Sequence, residues 1–160
     1  MSKSMLKPYR ARIEPEWIDY NGHLRDAYYG LVLSYATDDL MDQVGLDAAY
    51  RASTRCTLYT LEVHIHYLHE VKSTDDLEVE SWVLDCDRKR LLVGSKFHGA
   101  LRAEPVAVAE SMLLHVRQAE QVASASFPVA IAELLAALKL DAEARAQFGP
   151  SSRKLELQRR

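Results

Sequence analysis

Asp19, Asn21, Gly22, His23 and Asp26 fall close together in the run Trp17-Ile18-Asp19-Tyr20-Asn21-Gly22-His23-Leu24-Arg25-Asp26. With an unperturbed pKa of about 3.9, Asp19 is ionised at pH 7. Such a carboxylate can attack an electrophilic carbonyl directly or take a proton from a water that does so. The residues alone do not choose between these routes. The Asn21-Gly22 pair reads as a turn. A helix predicted to open just after Gly22 would offer unpaired N–H groups and a positive dipole end, suited to a developing oxyanion. Gly22 would let a ligand approach the backbone closely. The same residues also read as an Asx-type turn with helix capping, in which Asp19 or Asn21 only accepts N–H bonds.

Five of the thirteen aromatic residues, Trp17, Tyr20, Tyr28, Tyr29 and Tyr35, surround this run. Tyr28 and Tyr35 share an apolar helical stripe and are expected in the core. Trp17, Tyr20 and Tyr29 fit that stripe less well. Ring faces of this kind attract quaternary ammonium groups by roughly 0.5–2 kcal/mol each, so a trimethylammonium acyl group would suit them, with Asp26 as counter-charge. Packing or dimer contacts are the alternative use of the same rings. His64, His66 and His69 form an H-x-H-x-x-H pattern, but no further ligand accompanies them and His69 should face away, so no metal site is expected. Glu62, beside them, is a candidate supporting carboxylate or a solvated strand residue. Arg88-Lys89-Arg90 reads either as a soluble hairpin turn or as a cationic contact for a phosphorylated ligand.

The elements that must position these groups follow from periodicity. A short strand is predicted over residues 7–13 and is broken at Glu14-Pro15-Glu16. Tyr28, Leu31, Val32, Tyr35, Ala36, Leu40 and Val44 recur at steps of three and four, which predicts a long amphipathic helix ending near Gly45. Residues 55–71 change to period two, with Tyr59, Leu61, Val63, Ile65 and Tyr67 predicted on one buried face and Thr60, Glu62, His64 and His66 on the other. Residues 77–86, 91–101 and 106–116 read as three more strands joined by short polar connections, hence consecutive antiparallel hairpins. A helix is expected after Pro128, through Ile131, Leu134, Leu135, Leu138 and Leu140, and then a frayed polar tail over 151–160. One long striped helix and one antiparallel sheet bury both apolar faces if the sheet curls around the helix. The fold class is therefore α+β.

A chain of 160 residues, 48% hydrophobic, suits one domain, placed at 1–150. A charged fraction of 27% and a net charge of −3 give no broad cationic face for nucleic acid or anionic lipid. Cys56 and Cys86 form no C-x-x-C pair, and neither a secretory h-region nor a membrane-length apolar run is evident, so a cytoplasmic protein is expected.

Asp19 three residues before Gly22, the sequence Gly22-His23-Leu24-Arg25-Asp26 followed by Tyr28 and Tyr29, and the strand Val63-His64-Ile65-His66-Tyr67 resemble the hotdog-fold acyl-CoA thioesterases of the 4-hydroxybenzoyl-CoA thioesterase type. The resemblance spans roughly residues 7–118. Many members carry Gly-His-Val-Asn-Asn, and this chain departs from that Asn-Asn pair. The resemblance implies a single hotdog domain and a catalytic segment of Asp19, Gly22, His23 and Asp26, the amide nearest Asp26 serving as oxyanion donor. It implies acyl-group contacts from Trp17, Tyr20, Asn21 and Tyr29, and CoA phosphate contacts from Arg88, Lys89 and Arg90. No cofactor is implied, since CoA is part of the substrate, and the expected partner is a second copy, as a homodimer or dimer of dimers. A CoA thiol titrates near a cysteine thiol, at about 8.5, so the thiolate leaves near neutral pH without a strong general acid and one carboxylate can suffice. A non-catalytic acyl-CoA-binding domain and a hydratase or dehydratase on acyl thioesters are the competing readings.

Overall fold

The computed structural model describes residues 6–72, 76–100 and 103–150. Strand β1 (Tyr9–Arg12) leads through a 3-10 turn at Pro15–Trp17 to helix α1 (Asp26–Gln43) and a short helix α2 (Ala48–Thr54). Four long strands follow: β2 (Cys56–Tyr67), β3 (Asp76–Cys86), β4 (Arg90–Gly99) and β5 (Ala107–Arg117). A two-residue strand β6 (Ala123–Ser124), helix α3 (Val129–Leu138) and helix α4 (Ala142–Ala146) complete the order. The expected sequence of elements is present, and α2, β6 and α4 are additions to it. The expected polar tail lies outside the described residues, as does the predicted end of β4 at Leu101.

The sheet is antiparallel with order β1-β3-β4-β5-β2, and β6 pairs β5. Alternation along the strands gives it two apolar faces. Toward α1, Leu77, Val79, Phe97, Ala107 and Ala109 meet Tyr29, Val32, Leu33 and Ala36. Further along, Val83, Leu91, Val93 and Leu113 meet Leu40, Met41 and Val44, with Phe127, Ile131 and Leu135 closing that end. The small side chains of Ala107 and Ala109 let the helix lie close to the sheet. On the outer face, Trp82, Leu84, Val108 and Phe148 form a separate cluster. There the chain after α3 crosses the sheet: Leu140 N–H donates to the Val83 carbonyl, and Arg145 reaches the buried Glu110 at 2.9 Å. Gly94 sits directly beneath the Phe148 ring, and a Cβ at that position would overlap it.

His115, fully buried on β5, ties three elements together. Its Nδ1 lies 2.9 Å from the Ala125 carbonyl and its Nε2 2.9 Å from the Tyr50 hydroxyl of α2. A carbonyl only accepts, so Nδ1 carries a proton and donates to Ala125, and in that tautomer Nε2 accepts from the Tyr50 hydroxyl.

The predicted faces of β2 need correction. The register against β5 shifts between Thr60 and Glu62, leaving Leu61 as the extra residue of a bulge. Alternation therefore changes phase: Leu58 joins the core, and Thr60 lines the same depression under α1 as Val63, Ile65 and Tyr67. Tyr59 is not on that face; it bonds Gln118 at the surface. Nor is the strand buried on one side in the single chain. It is a sheet edge, with Leu61, Val63 and Tyr67 exposed.

Candidate active site

Between the 3-10 turn and α1 the chain makes a tight hairpin. Ile18 pairs with Leu24, Asp19 N–H donates to the His23 carbonyl at 2.8 Å, and Gly22 N–H donates to the Asp19 carbonyl at 3.0 Å. Closing this loop puts Gly22 at φ +81°, a left-handed conformation that other residues adopt only at a cost. The Asp19 side chain turns back into its own loop, where Oδ1 accepts the amides of Asn21 at 2.8 Å and His23 at 3.1 Å. The His23 amide above all holds its carboxyl below the usual range; partial burial opposes this, and the Asn21 amide and the Arg25 charge reinforce it. Oδ2 accepts no hydrogen bond among the described residues. The Asx-turn geometry and an available carboxylate oxygen thus coexist in one side chain.

Helix α1 does not open just after Gly22. It starts at Asp26, with Arg25 as an N-cap that supplies no side-chain bond. His23 and Leu24 are used instead to tie the loop down: His23 bridges Lys72, Leu24 N–H donates to the Val71 carbonyl, and Arg25 N–H donates to the Trp17 carbonyl. In the first helical turn the Ala27 amide is taken by Asp26 Oδ1 at 2.9 Å and the Tyr28 amide by the Arg25 carbonyl at 3.1 Å. The Asp26 amide has no acceptor among the described residues, at the positive end of an 18-residue helix.

The aromatic residues divide differently from the expected stripe. Tyr29, not Tyr28, is the buried one; it meets Phe97 and Tyr67 at centroid distances of 5.8 and 5.1 Å. Tyr28 lies at the helix flank stacked on Trp17, 5.1 Å away and 13° from parallel. Tyr35 is exposed, and Tyr20 at 93% exposure points into solvent. Asn21 is exposed at the loop tip, where its amide serves Asp19. Trp17, Tyr20 and Tyr29 do not converge on one space within the single chain.

A cleft of about 310 Å³ does open beside the loop, lined by His23, Asp26 and Tyr29 together with Tyr67, His69 and Glu70 from the end of β2. Sequence reasoning missed Tyr67 and Glu70 as lining residues of this cleft. They join it only because the chain leaving β2 returns to bridge His23, a tertiary contact that no local pattern announces. A larger concavity of about 720 Å³ lies on the outer sheet face among Arg10, Glu78, Glu80 and His98, away from Asp19 and crossed by the Arg10–Glu78 ion pair.

The histidines separate. His64 pairs with Glu62 at 2.6 Å and His69 lies 3.7 Å from Glu104, and no group of three potential metal ligands occurs among the described residues. Glu62 sits five residues up β2 from Tyr67, roughly 17 Å along the strand, and so stands apart from the loop.

Arg88, Lys89 and Arg90 lie at the β3–β4 hairpin, at the other end of β3 from the Asp19 loop, roughly 35 Å away by strand length. Asp87 accepts the amides of Lys89 and Arg90 and binds the Arg90 guanidinium at 2.6 Å; the Lys89 amide first, then the Arg90 side chain, hold its pKa at about 2. Lys89 Nζ reaches Ser124 at 3.1 Å. Arg88 is the one cation of the three with no side-chain partner among the described residues.

An antiparallel sheet curled around one helix, with a carboxylate loop at that helix's N-terminus, defines a hotdog protein. The chain belongs to the thioesterase-like superfamily, whose family model matches residues 13–138. It is 47% identical over 112 residues to a betainyl-CoA thioesterase of Pseudomonas aeruginosa, covering 70% of each chain. It is 44% identical over 114 residues to an L-carnitine dehydrogenase/betainyl-CoA thioesterase of Agrobacterium fabrum; that match covers 69% of this chain and 22% of that longer protein. Among solved structures, a putative thioesterase from Pseudomonas putida KT2440 superposes with a TM-score of 0.74 at 42% identity, over 94% of this chain and 96% of the other. No helix among the described residues is long and apolar enough to cross a membrane.

Proposed function

We propose that this chain hydrolyses betainyl-CoA to glycine betaine and free CoA, with Asp19 as the catalytic carboxylate. The observation that carries the substrate is the 47% identity to the Pseudomonas aeruginosa betainyl-CoA thioesterase. The chemistry is supported by the Asp19 side chain, anchored through Oδ1 by two amides and ionised, with Oδ2 available. Oδ2 either adds to the thioester carbon, giving a mixed anhydride that water then cleaves, or takes the proton of a water that adds directly. In both routes the C–S bond breaks, the thiolate leaves and is protonated, and one water is consumed; its oxygen enters the acid directly, or enters Asp19 where water attacks the Asp19 carbonyl of the anhydride. The unpaired Asp26 amide is suited to the oxyanion, where removing a donor typically costs about 10²–10³ in kcat.

The active form is a dimer in this reading. An exposed sheet edge carrying Leu61 and Val63 is a surface that an isologous second copy would cover. Antiparallel pairing of β2 with its copy reverses the copy's strands. The copy's Arg88–Arg90 hairpin then comes to the end of the sheet where Asp19 lies, within reach of CoA phosphates that the chain's own hairpin cannot meet.

Thiol release measured over a panel containing betainyl-CoA and its uncharged isostere 3,3-dimethylbutyryl-CoA tests the proposal. Betainyl-CoA should be turned over preferentially. Equal turnover would remove cation recognition and leave a thioesterase; thermal stabilisation by CoA without thiol release would favour a binding domain.

A further inference from the structure

A quaternary ammonium group has no N–H to donate. It can be recognised only by apolar or ring surface and by a diffuse negative field. In a betainyl thioester one methylene separates that cation from the reacting carbonyl, so its subsite must abut the catalytic loop.

The cleft beside the loop meets both conditions. His23, whose amide fixes Asp19, lines it, as does Asp26 at the helix start. Two phenol rings, Tyr29 and Tyr67, face the same space and stand 76° apart in a corner. Tyr29 is buried against Phe97 and already ordered, and the Tyr67 hydroxyl lies 3.4 Å from the Asp26 carbonyl it donates to. Burial, and then the Asp26 charge, raise the Tyr67 pKa, so the ring stays neutral. Asp26 and Glu70 are the two carboxylates of the lining, and no Lys or Arg is among it; one oxygen of Glu70 lies 3.3 Å from His23 Nε2, beside the same space. About 310 Å³ is at the small end for ligand pockets, which suits a compact head group over a long acyl chain.

We infer that this cleft is the acyl-cation subsite, and that Tyr67 as ring wall and Glu70 as counter-charge set the preference for a quaternary ammonium acyl group over a neutral one of the same shape. The inference rests on the thioesterase reading above and adds two specificity residues from the far end of β2, beyond the aromatic cluster of residues 17–35.

The test is the ratio of kcat/KM for betainyl-CoA to that for 3,3-dimethylbutyryl-CoA, in the wild type and in Tyr67→Leu, Tyr67→Phe and Glu70→Gln. Tyr67→Leu should lower the ratio about 2- to 30-fold, through the betainyl arm, the size of one desolvated cation–ring contact, and Glu70→Gln should lower it through the same arm by removing the charge. Tyr67→Phe, which keeps the ring, should keep the ratio. Glu70 is exposed, so Glu70→Gln still reads the subsite if Tyr67→Leu folds poorly. Active variants with an unchanged ratio, or with equal losses on both substrates, overturn the inference alone. A wild type that releases thiol from neither substrate overturns the thioesterase reading and the inference together.

Discussion

Asp19→Asn separates the chemistry of the loop from its architecture. Asparagine keeps an Oδ1 that can accept the Asn21 and His23 amides at the same 2.8 and 3.1 Å, so the loop should hold its shape. Its Nδ2 then occupies the place of Oδ2 and puts two N–H donors where a lone pair has to act. Loss of a positioned nucleophile or base should lower kcat/KM for betainyl-CoA by about 10²–10⁴. The melting temperature should stay close to wild type. Asp19→Ala removes the acceptor as well, and should lose the same activity while also loosening residues 19–23. Thiol release followed with a chromogenic disulfide gives the rates, and circular dichroism gives the melts. Because the loop amides hold the carboxyl below the ordinary value of about 3.9, wild-type activity should stay level as the pH falls from 7 toward 5. An asparagine variant that turns over near the wild-type rate would refute the assignment of Asp19. An acidic limb with a midpoint near 6 would place the essential base elsewhere.

Arg145→Met takes the guanidinium from a carboxylate that remains buried on the outer sheet face. With Arg145 itself about a third exposed, the loss should be about 2–3 kcal/mol, read as a melting temperature lower by about 5–10 °C; an unchanged melt would mean that the strap after α3 is not anchored there. Asp87, held at about 2, contributes stability that is fully present above the ordinary carboxylate pKa and is lost as the pH falls from about 4 through 2. Its carboxyl carbon, followed by NMR, should titrate near 2, and a midpoint near 4 would mean that Arg90 and the hairpin amides do not hold it.

The long helix and the strands were legible because their periods persist over ten residues or more. Phase and local exceptions were not. Tyr28 and Tyr29 are adjacent and equally apolar, so counting steps of three and four could not say which one enters the core; Trp17, which stacks on Tyr28, decides it. Asn21-Gly22 was correctly a turn, but the hairpin it closes consumes His23 and Leu24 in bridges and delays the helix to Asp26. Helix α2 carried a readable signal in Asp47, whose side chain caps the Tyr50 amide. The acidic, aromatic cleft carried none: Tyr67 and Glu70 are remote in sequence from Asp19 and meet its loop only through tertiary pairing.

The bulge at Leu61 makes β2 a strand read in two frames. Before it, even-numbered residues face inward and serve the core beneath α2; after it, odd-numbered residues do, and Tyr67 arrives at the mouth of the cleft. Deleting Leu61 would restore uniform alternation and so mend the pattern that sequence reading expects. It would also leave every later pair in place, Tyr67 still opposite Ala107; pairing Leu61 regularly with Met112 instead would slide the rest of the strand by one residue and set His66 where Tyr67 stands. The irregularity is therefore what lets one strand satisfy two neighbourhoods whose spacing does not match.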